Sequence, residues 1–189
     1  MLEPMRRSAS ISSDGLHRYD LTRQWWMDGE DPRWICFCGL NPSTADGLVD
    51  DPTIRREIDF ARRFGANALV KINLYSWRAT QQADLRRAID EHGYFCVTGG
   101  GSNPIVSRPL ARLYPLDLAS AVAHAVALAR LPGGLGVVAA WGAGVSSLPH
   151  SEHLIQRLGS PLFCLGRTKN GYPKHPVRLA KTTRLELYS

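Results

Sequence analysis

Three side chains in this sequence have the type and setting to bind a small molecule, and they lie far apart along the chain: Asn41, Asn73 and His175. Asn41 comes where the apolar run "WICFCGL" stops in the rigid turn "NPS". A core strand can end more simply, so the turn is expected to present the carboxamide to a ligand, a nucleobase. Asn73 sits where "LVKIN" leaves the sheet. A carboxamide offers one acceptor and two donors, which can meet the O4 and N3–H edge of a pyrimidine. His175, in "PKHPVRL", stands before a proline in a polar loop. Each residue also has a plainer use. Asparagines form and cap turns through local backbone bonds, and a loop histidine can simply be solvated. Arg167, Lys169, Lys174, Arg178 and Lys181 crowd the same loop. Such a cluster suits phosphates and equally a solvated face.

These residues need elements to hold them. "HRYDLTRQWW" alternates as a strand does, and "RWICFCGL" and "NALVKINLY" are apolar runs of buried-strand length. "DPTIRREIDFARRFG" has a helical stripe in Ile54, Ile58 and Ala61, with Asp51 or Thr53 as cap and Gly65 as stop. "QQADLRRAIDEHG" and "LDLASAVAHAVALARL" are further helices, with His124 in the second read as structural. "GVVAAWG" and "PLFCLG" are short buried strands on either side of the helical "SSLPHSEHLIQRLG". Apolar runs alternating with helices imply an α/β three-layer sandwich with a mainly parallel central sheet. Ligands in such sheets sit beyond the carboxyl ends of the strands, where "CGLNPST", "KINLYSWRAT", "AAWGAGVSS" and "CLGRTKNGYPKHP" begin. Residues 1–16 are expected to be a flexible N-terminal arm. Residues 17–189 are expected to be a single domain with an irregular insertion near 94–115.

The 189 residues suffice for one sizeable core. Lys and Arg outnumber Asp and Glu by 23 to 17, a net charge of +6. That balance suits a polyanionic partner such as DNA or RNA, and many basic proteins have none. No run approaches the roughly 18 apolar residues of a membrane span, and the first 15 residues lack the apolar core of a secretory signal. The four cysteines Cys36, Cys38, Cys96 and Cys164 form no CxxC pair. They are expected to be reduced, buried thiols of a cytoplasmic protein rather than metal ligands.

"GLNPS" after a buried strand resembles the first active-site motif of uracil-DNA glycosylases, notably the Gly-Ile-Asn-Pro-Gly of the mismatch-specific branch. "LVKINLYSWRA" is similar to that superfamily's strand ending in a base-reading asparagine, "VVAAWGA" to its next core strand, and "KHPVRLA" to its last motif, His-Pro-Ser-Pro-Leu-Ser. The matches keep the superfamily's order across residues 34–181. Overall, the chain most resembles an uncharacterised bacterial and phage family with the signature "LNPSTAD…DDPTIRR" and a "TKNG-x-P-x-HP" loop. The glycosylase resemblance implies that fold, and hydrolysis of an N-glycosidic bond without metal or cofactor. It implies that Asn41 orients the water, Asn73 reads the base with Leu40, Pro42 and Ser43 beside it, and His175 donates to the base oxygen. Leu179 would be the wedge that replaces a flipped nucleotide, with Lys169, Lys174, Arg178 and Lys181 on DNA phosphates. Asp46, Asp51, Arg56 and Tyr75 would be accessory residues.

Two departures accompany the resemblance. "STADGLVDDPTIRR" has no aromatic ring to stack on a base, so that task falls to Tyr75, Trp77 or Phe60. Val177 and Arg178 replace Ser-Pro, which implies an altered substrate. The expectation is a monomeric DNA glycosylase. Its rivals are a nucleotide- or nucleoside-processing enzyme and a non-catalytic reader of modified bases in nucleic acid.

Overall fold

The computed structural model describes residues 5–97 and 118–189, without the side chains of 94–97. The irregular insertion expected near 94–115 falls, from residue 98 on, outside the described residues. In chain order the strands are β1 (Arg6–Ile11), β2 (Arg18–Gln24), β3 (Trp34–Gly39), β4 (Ala68–Asn73), β5 (Val137–Ala139), β6 (Leu162–Cys164) and β7 (Glu186–Leu187). The helices are α1 (Pro52–Arg63), α2 (Gln82–Val97), α3 (Leu118–Arg130) and α4 (Ser151–Gln156).

All seven strands form one sheet in the order β1-β2-β4-β3-β5-β6-β7. The four central strands, β4-β3-β5-β6, are parallel. Every residue of β3 and β4 is buried, which explains their unbroken apolar runs. Alternate residues serve opposite faces. Ile35, Phe37, Leu69 and Val138 pack with Ile54, Ile58 and Ala61 of α1. Cys36, Cys38, Val70 and Ile72 pack with Leu85 and Ile89 of α2 and Ala121 and Ala125 of α3. Helices thus cover both faces.

The sheet is mixed rather than mainly parallel, because three of its six pairings, β1 with β2, β2 with β4 and β6 with β7, are antiparallel. Residues 6–11, assigned from sequence to a flexible arm, are the edge strand β1. Their polar "RRSASI" gave no apolar signal; Ser8 to Thr22 at 2.6 Å and Arg7 to Asp50 at 2.5 Å help fasten the strand. The helix expected over "SSLPHSEHLIQRLG" is divided. A 3₁₀ turn, Ala143–Ser147, precedes Pro149, and α4 starts only after His150, whose φ of 59° is left-handed.

Local sequence also sets α1. Pro52 occupies its first turn, and Asp51 Oδ1 accepts from the Ile54 amide at 2.8 Å, a cap that contributes about 1 kcal/mol. The helix stops at Gly65, with φ of +86°. Among the described residues no helix is long and apolar enough to cross a membrane.

Candidate functional site

Where β3 and β4 end, the chain turns outward on both strands. Gly39 and Asn73 are register partners at those two tips, and Trp141 follows β5 by two residues. Above them lies a hollow of about 300 Å³ whose wall includes Asn41, Asn73 and His175. Three residues spread over more than a hundred positions of the chain are thus brought to one place. Leu40 and Ser43 join them in the wall.

Asn41 is held rigidly. Its Nδ2 donates to the carbonyls of Ala79 at 2.7 Å and Pro42 at 3.1 Å. Both partners are acceptors, so the amide orientation is fixed by chemistry, and Oδ1 is the polar atom left without a partner among the described residues. The turn-forming and ligand-facing uses of this residue coexist. Pro42 itself is buried and anchors the turn, its carbonyl also accepting from the Ala79 amide.

Asn73 is 1% exposed, and neither Oδ1 nor Nδ2 has a partner among the described residues. A buried polar group left unpaired costs about 1–3 kcal/mol, so two such atoms in the wall of a hollow point to a ligand that satisfies them. Gly39 makes room for this carboxamide. A Cβ there would lie 2.7 Å from Asn73 Oδ1 and 2.8 Å from Lys71 Nζ. Gly39→Ala is therefore expected to remain folded with reduced stability, because Lys71 must also give way, and to lose ligand affinity at least tenfold. Circular dichroism and a binding titration on the same preparation check both halves, and undiminished affinity would contradict the cradle.

His175 stands at the rim, before a 3₁₀ turn that starts with Pro176. The Val177 amide donates to its Nδ1 over a long 3.5 Å, which leaves Nε2 carrying the proton of the neutral ring. Desolvation in the wall and the nearby Lys71 charge hold the imidazole down at about 4, against a smaller pull upward from Asp51. It is a neutral N–H donor at physiological pH. His175 also lines a second hollow of about 520 Å³ with Lys174, Arg178, Thr168 and Leu179.

Four residues of this region had no role assigned from sequence: Arg18, Glu57, Lys71 and Trp141. Lys71 Nζ meets Glu57 Oε1 at 2.6 Å in a pair that is 4% and 0% exposed. Burial raises the Glu57 carboxyl, while Lys71 opposes that shift. Arg18 is 2% exposed and donates to the Ala45 carbonyl at 2.7 Å. Trp141, 2% exposed, supplies the wall with an aromatic ring, and its Nε1 has no partner among the described residues. The signals were charges in apolar settings. Lys71 interrupts "ALVKIN", and Glu57 falls on the stripe of Ile54, Ile58 and Ala61.

Other expected site residues lie elsewhere. Tyr75 is buried in the core and donates to the Pro149 carbonyl at 2.5 Å. Phe60 stacks on Phe64 in the core beneath α1, and Trp77 packs edge-on against His17. None of the three rings lines the hollow; Trp141 does. Arg56 lies over Phe60 and donates to the Leu179 carbonyl, a packing role. Leu179 is half-buried against the core rather than free to act as a wedge. Asp46 accepts from the amides of Leu48 and Val49 and shapes a turn, whereas Asp51 both caps α1 and lines the hollow. Lys169 and Lys181 are exposed, outside both hollows.

Among the described residues the thiols offer no ready nucleophile. Cys36, Cys38 and Cys164 are free and buried, and burial pushes Cys38 up to about 12 and raises Cys36 and Cys164 as well.

No curated protein and no solved structure matched this chain. A family model described as "Protein of unknown function (DUF1643)" matches residues 18–177, a span that runs from Arg18 through Asn41 and Asn73 to His175, and the chain belongs to that family.

Proposed function

We propose that the hollow binds a nucleobase and that the protein hydrolyses N-glycosidic bonds in DNA, as a cytoplasmic monomer with a uracil-DNA-glycosylase-like fold. The observation that carries this reading is Asn73, a fully buried carboxamide with both polar atoms unpartnered in the wall of the hollow. A flat heterocycle with adjacent acceptor and donor satisfies both. In the reaction the C1′–N bond breaks and its electron pair leaves with the base, while a water oxygen bonds to C1′ and sheds a proton to solvent, from which the base anion is protonated. Asn41 Oδ1 accepts from that water and aligns it, and His175 Nε2–H donates to the base oxygen as negative charge develops there. An amide orients water well and takes its proton poorly, so turnover is slow.

Two features favour DNA over a free nucleoside. Of the three carboxylates in the acidic "DGLVDD" turn, Asp50 is paired with cations outside it, 2.5 Å from Arg7 and 2.7 Å from Arg23. That pairing offsets one of the turn's three negative charges, which lessens its repulsion of phosphates. The same turn exposes Leu48 (82%) and Val49 (62%) on a loop that carries Asn41 and Asp51. These aliphatic side chains suit the wedge role that Leu179 is too buried to fill.

Incubation with oligonucleotides containing uracil, hydroxymethyluracil, hypoxanthine or mismatched thymine is expected to give alkali-labile sites with at least one substrate. Asn41→Ala abolishes them, and Leu48→Ala slows cleavage of duplex but not of single strands. A silent panel with salt-sensitive DNA binding would favour the non-catalytic reader. Turnover confined to free nucleosides or nucleotides would favour the small-molecule enzyme.

A further inference from the structure

We propose that the ligand of this hollow carries an oxyanion, bound by Arg18; the inference rests on the base-binding reading above and narrows its substrate class. The oxyanion is either a carboxylate on the heterocycle or the 5′-phosphate of a nucleotide.

The case starts from how the other buried cations are satisfied. Arg23, on the same strand and 0% exposed, has Asp50 at 2.7 Å and the carbonyls of Thr22 and Asp46, each at 2.7 Å. Lys71 has Glu57 at 2.6 Å. Arg18, 2% exposed, has one carbonyl, that of Ala45 at 2.7 Å. Among the described residues it has no carboxylate within ion-pair distance, and its Nε is buried without a partner. Buried charges are ordinarily paired. Asp51 and Glu57 attract Arg18 from further away, and Arg78 and Arg23 repel it. Asp51 Oδ1 is already engaged with the Ile54 amide.

Arg18 lines the hollow. So does Trp141, whose Nε1–H is likewise unpartnered among the described residues. A pyrimidine edge facing Asn73 leaves both of these donors unmet. A ligand that also presents anionic oxygens satisfies them, and a guanidinium fork binds carboxylate or phosphate through paired hydrogen bonds. The 300 Å³ hollow holds roughly ten waters at about 30 Å³ each, which leaves room for such a group beside a single ring.

Thermal-shift titrations of the whole chain test this with two matched pairs: uracil against uracil-5-carboxylate, and deoxyuridine against deoxyuridine 5′-monophosphate. Inorganic phosphate alone is the control. In the wild type, the anionic member of one pair is expected to protect at a concentration at least tenfold lower than its neutral partner. Which pair responds identifies the source of the oxyanion. Arg18→Met removes the preference, and Arg18→Lys, which keeps the charge without the fork, retains part of it. Arg18→Met should itself be no less stable than the wild type, since an unpaired buried cation is gone. Equal protection by neutral and anionic partners would overturn the Arg18 assignment and leave the base pocket standing. Protection by phosphate alone, with no response to any heterocycle, would overturn the base pocket and keep Arg18 as an anion site. No protection by any probe would overturn both.

Discussion

Replacing Glu57 by alanine is expected to lower stability by about 3–5 kcal/mol, a fall in Tm on the order of 10 °C for a chain of this size. Glu57 and Lys71 meet at 2.6 Å with almost no solvent access. Their attraction offsets the loss of hydration only while both are present. Removing one leaves the other charged and buried between β4 and α1, beside the hollow that Lys71 lines. Replacing both together, Glu57→Leu with Lys71→Met, is expected to restore most of the loss, because an ion pair exchanged for packed apolar side chains is often neutral. Urea denaturation of the two singles and the double closes the cycle. If Glu57→Ala cost less than about 1 kcal/mol, the pair would be a solvated one and its burial between β4 and α1 would be wrong. The double variant carries a second consequence. Without the Lys71 charge, His175 should titrate nearer its ordinary value.

His175→Ala is expected to slow base release in a single turnover by about 10²–10³-fold, the usual loss for one donor to a developing oxyanion, with little change in binding. The ring donates as a neutral imidazole from an exposed place at the rim, where partial desolvation and the Lys71 charge hold it down at about 4. Its folded value lies below the ordinary 6.5, so between those pH values the unfolded chain holds the proton that the folded chain does not. Stability contributed through this residue is therefore present above pH 6.5 and falls as pH drops toward about 4. Denaturation midpoints over that window should decline less in His175→Ala than in the wild type. Parallel curves would show that the ring is not desolvated.

The parts of the fold that were legible in the sequence are those where one force dominates. The strands β3 and β4 announce themselves because both of their faces are buried, which makes "WICFCG" and "ALVKIN" continuous apolar runs. The helix α1 could be bounded because Asp51 and Gly65 bracket a clear stripe. The edge strands were not legible. β1 has one fully buried residue in six, and β7 is two exposed residues. Their pairing is dictated by neighbours rather than by their own composition.

The same division holds for the hollow. Asn41 and Asn73 were visible because polar residues at the ends of apolar runs stand out, and His175 because "KHPVRLA" resembles a known motif. Their shared wall with Arg18 and Trp141 depends on a sheet order, β2 beside β4 and β5 beside β3, that no local pattern encodes. Tyr75 was expected beside the base for its ring and Leu179 as a wedge by resemblance; packing puts Tyr75 in the core and leaves Leu179 half-buried against it.

The most direct measurement is of the Asn73 side chain itself. Its amide ¹H–¹⁵N resonances, assigned by comparison with Asn73→Asp, can be followed by NMR during titration with free pyrimidine and purine bases. A heterocycle bound in the hollow should shift both amide protons saturably, with those of Asn41 moving alongside, and the shifts should vanish in Gly39→Ala. Amide signals unmoved by every base, in a folded wild-type protein, would mean that these two carboxamides hold no heterocycle.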